Sequence, residues 1–102
     1  MTPEERAVLI EKIRTFPAQL EAMLWDLTHE QLTTPFLAGE WSAAQNVHHL
    51  ADSHMNAFIR FKLILLEDNP TLKPYNQNHW AETVDAQETD IENSLSILRG
   101  LH

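Results

Sequence analysis

An apolar side chain returns every three or four positions from Leu9 to Leu27, by way of Ile13, Phe16, Leu20 and Leu24. That spacing matches the turn of an α-helix and not the alternation of a strand. Thr2-Pro3-Glu4-Glu5 opens the helix, with Thr2 as cap, Pro3 at the first helical position and Glu5 closing a capping box. The predicted span is about residues 3–27. Pro17 lies inside it without an amide hydrogen, so a kink or restart is expected there, with the apolar face still in register. A second stripe, Val47, Ala51, His54, Phe58, Phe61 and Leu65, follows the box Ser42-Ala43-Ala44-Gln45 and predicts a helix over about 43–67, ended by Asn69-Pro70. Leu50, Ala57 and Ile64 widen this stripe, so the second helix is expected to be central and covered on more than one side. Thr89-Asp90-Ile91-Glu92 starts a third helix from about 90 to 102, with Ile91, Leu95, Leu98 and Leu101 inward.

The connectors are less regular. Thr28 to Gly39 has room for one short turn at Thr28-His29-Glu30-Gln31 before Thr34-Pro35 breaks it. Residues 68–88 read as a long loop, but Pro74, Tyr75 and Trp80 make it a packed one rather than a flexible linker. The whole predicts an all-α single domain over 1–102, of the up-down four-helix bundle kind, incomplete at about two and a half helices. A broad apolar helix with so few neighbours would expose a large patch, which predicts a homo-oligomer or further sequence.

Several function classes fall away. With no cysteine there is neither a disulfide framework nor a thiolate nucleophile or metal ligand. A formal charge of −8, with seven scattered Lys and Arg, argues against nucleic acid as a partner. The most apolar run, Ala57 to Leu66, is broken by Arg60 and Lys62 and is too short to span a membrane. Met1-Thr2-Pro3-Glu4-Glu5 is not a secretory leader, so a cytoplasmic location is expected. Gly39 and Gly100, the only glycines, form no phosphate-cradling loop, and no serine sits in a nucleophile elbow.

Chemistry concentrates in Asn46-Val47-His48-His49-Leu50-Ala51-Asp52-Ser53-His54-Met55-Asn56. Three histidines in seven residues suggest a metal cluster, but helix geometry divides them. At about 100° per residue, His48 and His49 diverge by about 100° and His49 and His54 by about 140°, so one ion cannot collect all three. His49, Asp52, Ser53, Asn56 and Arg60 share one polar face, either a solvated face or the wall of a wet cleft. His54 falls in the apolar stripe beside Phe58, where a core histidine bonded to a backbone carbonyl is expected. His48 with Asp52 reads as an ordinary i, i+4 pair. His29, His79 and His102 lie in connectors or at the end, with little functional weight.

Gly39-Glu40-Trp41-Ser42, Gln45, the run Val47 to Asn56, Arg60-Phe61-Lys62-Leu63, Glu67 to Thr71, Lys73-Pro74-Tyr75 and Trp80-Ala81-Glu82 together resemble the YfiT branch of the DinB-like superfamily. The resemblance runs from about Thr28 to His102. It implies a four-helix bundle holding a divalent metal, nickel or zinc, on three histidines near one end, in a metal-dependent hydrolase or thiol S-transferase. One ligand in that family comes from the second bundle helix and falls on His49. The other two form a His-x-x-x-His pair on the fourth helix, and this sequence has no such pair. The resemblance therefore implies a chain truncated before its last helix, inactive alone, with no catalytic residue assignable and a small molecule or thiol as substrate. Two other classes stand beside it. One is a helical self-association module. The other is a non-catalytic bundle that orients a small molecule with Asp52, Asn56 and Arg60.

Overall fold

The computed structural model describes residues 1–102 and is helical throughout: α1 (Pro3–Leu24), α2 (His29–Thr33), α3 (Ala43–Leu66), α4 (Gln77–Ala81), a 3-10 turn (Asp85–Gln87) and α5 (Glu92–Leu101). All three predicted capping boxes form. Thr2 N donates to Glu5 Oε2 at 2.7 Å, Thr28 N to Gln31 Oε1 at 2.9 Å and Ser42 N to Gln45 Oε1 at 3.0 Å, each answered by the reciprocal bond. These bonds satisfy amides that the first helical turn leaves unpaired.

α1 runs unbroken across Pro17, so the helix does not restart there. Proline cannot supply the amide that the carbonyl four residues earlier would accept, so the Ile13 carbonyl is left free within the helix. His102 Nδ1 donates to it at 2.6 Å. α1 ends at Leu24 rather than at 27, with Trp25 as its cap. α3 stops where expected, and Asn69 takes a left-handed φ of 51° just before Pro70. Asparagine tolerates that conformation. The segment read as a loop over 68–88 contains α4, capped by Asn76 Oδ1, and the 3-10 turn. Tyr75 packs on Trp80 at 4.8 Å between ring centres. α5 begins two residues late because Asp90 Oδ1 accepts from the Glu92 amide at 2.9 Å and so caps it from outside.

The core gathers around the first half of α3. Ala44, Val47 and Ala51 are buried there against Leu95 and Leu98 of α5, Ala81 of α4 and Ala86 of the 3-10 turn, with Leu32 of α2. Alanines on α3 let the neighbouring elements approach closely. The predicted apolar stripes are thus inward for only part of their length. Val47 and Ala51 are buried, but Phe58, Phe61, Ile64 and Leu65 further along α3 are exposed, as are Leu9 and Ile13 of α1. No helix is long and apolar enough to cross a membrane.

Candidate metal centre

The three histidines of α3 enter three different neighbourhoods, as helical geometry requires. His48 is not half of a surface pair with Asp52. It is 6% exposed, with Nδ1 2.7 Å from Ser94 Oγ and Nε2 3.0 Å from the Glu88 carbonyl. A carbonyl only accepts, so Nε2 carries the hydrogen, and Nδ1 of the neutral ring accepts the Ser94 hydroxyl. His48 therefore ties α3 to α5 and to the segment before it.

His54 is not a core histidine bonded to a backbone carbonyl either. Its Nδ1 lies 2.5 Å from His102 Nε2, and both rings stand near Phe16, at 6.2 and 5.7 Å between centres. His102 uses its Nδ1 hydrogen on Ile13, so its Nε2 is the acceptor and His54 the donor. The carbonyl partner expected of His54 thus belongs to its neighbour in the chain of bonds. Phe58, expected beside it in the core, is 45% exposed. Burial lowers the His54 pKa, and the rings of His102 and His49 add to the effect.

His49 stands apart. Its ring packs against Trp41, with centres 5.0 Å apart and planes at 55°. Its Nδ1 is the one buried side-chain nitrogen or oxygen in the molecule without a hydrogen-bond partner. The polar face that shares its side of α3 is only partly free. Asn56 donates back to the Asp52 carbonyl of its own helix at 2.8 Å. Arg60 donates to the Lys73 carbonyl at 2.8 Å and lies over the Tyr75 ring, so it pins the long connector rather than facing His49. Ser53 is half-buried.

The Asp52 carboxyl is pushed above its usual range, first by burial and then by the Asp85 carboxylate, while His49 and His48 pull the other way. A carboxyl whose pKa is raised on folding binds protons more tightly in the folded chain, so stability falls as pH rises through that raised pKa. Asp52→Asn is accordingly expected to raise the melting temperature at neutral pH. The advantage should shrink as the pH is lowered towards the ordinary carboxylate pKa. Thermal unfolding of both proteins across that range checks this, and an unchanged or lower melting temperature at neutral pH would refute it.

A metal would need several donors together, and His49 offers one of the right type with an unmet nitrogen. No group of three His, Asp or Glu side chains is placed to hold an ion. Among these residues His49 fits one ligand position of such a site.

Sequence reasoning passed over the partners that define these environments: Ser94, His102 and the Ile13 carbonyl. One signal was present, since a proline within a helix frees the carbonyl four residues before it and so invites a donor.

Comparison with known proteins gives the family. The DinB superfamily profile matches residues 12–102. The Bacillus subtilis protein named "Putative metal-dependent hydrolase YfiT" is 41% identical over 102 residues, covering all of this chain and 57% of that relative. A Geobacillus thermodenitrificans protein named "Putative metal-dependent hydrolase" is 50% identical over 93 residues, 91% of this chain and 52% of that one. The solved structure of Bacillus subtilis YfiT, described as "a probable metal-dependent hydrolase with an unusual four-helix bundle topology", superposes with a TM-score of 0.93 at 40% identity over 99% of this chain and 58% of its own. The chain thus spans little more than half the length of the relatives it matches. It belongs to the DinB superfamily, in its YfiT branch.

Proposed function

We propose that the chain contributes one ligand, His49, to the metal centre of a DinB-type metal-dependent hydrolase or thiol S-transferase, with nickel or zinc as the ion and a small molecule or thiol as substrate. The observation that carries the reading is the buried, unpartnered Nδ1 of His49. Leaving such a group unmet costs about 1–3 kcal/mol, and exceptions of this kind in folded proteins call for a ligand, ion or water. A bound ion of this type supplies Lewis acidity to a substrate oxygen or sulfur. The chain's own contribution is orientation. Trp41 fixes the plane of the His49 ring, and His48 holds α3 against α5 so that the next side chain on α3 is presented on a rigid element.

The test compares two proteins by calorimetric titration with nickel or zinc. One is the chain of 102 residues. The other is the same chain joined to the part of the Bacillus subtilis relative outside the matched region. The joined protein is expected to bind one ion per chain, and the shorter one at least tenfold more weakly. Equally tight stoichiometric binding by the shorter chain, surviving His49→Ala, would overturn the reading.

A further inference from the structure

A cleft of about 590 Å³ opens between the C-terminal end of α1, α2 and the start of α5. Leu24, Leu27, Leu32, Ile91 and Leu95 line it, with Leu32 and Leu95 buried and the other three half-buried. That size and that apolar lining are those of a small-molecule pocket, which ordinarily measures about 300–1,000 Å³. Neither His49 nor Trp41 lines it, so it is built from other residues than the proposed metal ligand and its neighbour. At its edge Trp25 is 85% exposed, an indole left in water where α1 ends.

We propose that this cleft binds an amphipathic amine, with its apolar body on the leucines and its ammonium group at the rim. The apolar lining accounts for the body, and charge complementarity for the head. α1 ends at the cleft and carries no basic residue in its last turn, so the negative end of its dipole is not offset by the chain. Glu21, Asp90 and Glu92 line the cleft, and residues 19–34 and 85–93 together hold seven Asp and Glu with no Lys or Arg. The nearby cation, Arg99, pairs with Glu21 and Glu92 at once, which leaves Asp90 without one. Asp90 Oδ1 caps α5, and its other oxygen remains for a ligand. Trp25 adds an aromatic face, to which an ammonium group is attracted. A carboxylate or phosphate ligand would meet the same field as repulsion, and a second copy of the chain docked here would set two acidic ends against each other.

Calorimetric titration of the 102-residue chain with n-octylamine at neutral pH, where the amine is protonated, is expected to saturate at one molecule per chain. n-Octanol, which has the same chain without the charge, should bind about tenfold more weakly, and octanoate should give no saturable heat. Asp90→Asn keeps an oxygen to cap α5, and should weaken the amine several-fold while leaving octanol unchanged. Ala22→Arg, at an exposed position on the cleft wall, should abolish amine binding with no loss of helicity. Octanol or octanoate binding as tightly as the amine, amine binding that survives Ala22→Arg, or no saturation at all would overturn the proposal. So would loss of amine binding in the chain joined to the unmatched part of the Bacillus subtilis relative, since that part would then be what fills the cleft.

Discussion

His48→Ala is expected to lower the stability of the chain by about 3 kcal/mol or more, a large share of what a small domain holds. The substitution strips a partner from the Ser94 hydroxyl and from the Glu88 carbonyl at once, in a place where the ring is 6% exposed. Each buried polar group left unmet costs about 1–3 kcal/mol, and the space vacated by the ring adds a cavity term. A small domain has only about 5–15 kcal/mol in total, and this one has a short core. Ser94→Ala should cost less, about 1 kcal/mol, because it removes one bond and leaves the Glu88 carbonyl paired. Urea unfolding followed by circular dichroism checks both. A loss of only a few tenths of a kcal/mol for His48→Ala would mean that the ring behaves as one half of a surface i, i+4 pair, and the lock between α3 and α5 would have to be given up.

Local rules carried the fold a long way. The capping boxes at Thr2, Thr28 and Ser42 need only residues three apart, and all three form. The periodicity of α3 likewise fixed its existence, and Asn69-Pro70 its end near Glu67. What periodicity could not give was the point along each stripe where a neighbour stops. Val47 and Phe61 belong to the same face by spacing, yet one is buried and the other exposed, a difference that spacing alone does not carry. α4 escaped notice for a different reason. A helix of five residues in Gln77–Ala81 has no stripe, and its only sequence mark is the Asn76 cap.

The candidate site shows the same division. Separation of the three histidines followed from about 100° per residue and nothing more. Their partners did not follow, because Ser94 and His102 lie 46 and 48 positions away from the rings they meet. Burial had been expected for His54, in the apolar stripe, and a minor surface role for His48. The structure puts His48 deeper, since α5 crosses α3 on the side of Val47 and His48. Membership of the polar face was also too coarse a guide. Arg60 shares it with His49 by spacing but is drawn to the connector by the Lys73 carbonyl and Tyr75.

Replacing the histidines one at a time in the chain joined to the unmatched part of the Bacillus subtilis relative separates ligand from scaffold. His49→Ala is expected to abolish stoichiometric nickel or zinc while leaving the fold in place, since Nδ1 of His49 has no structural bond to lose. A site of three protein ligands reduced to two does not hold its ion. His54→Ala should keep the metal and lower stability, because it removes the donor to His102 beside Phe16. His48→Ala should lower stability further, for the two bonds it breaks, yet the molecules that remain folded should still carry one ion each. Metal content per folded chain, measured alongside the unfolding midpoint, gives two readouts that move in opposite ways for the ligand and for the two scaffold residues. Loss of the ion in His48→Ala or His54→Ala with retention in His49→Ala would transfer the ligand role away from His49. Because the two readouts are independent, that result would leave the superfamily assignment standing while removing the residue on which the proposed metal centre rests.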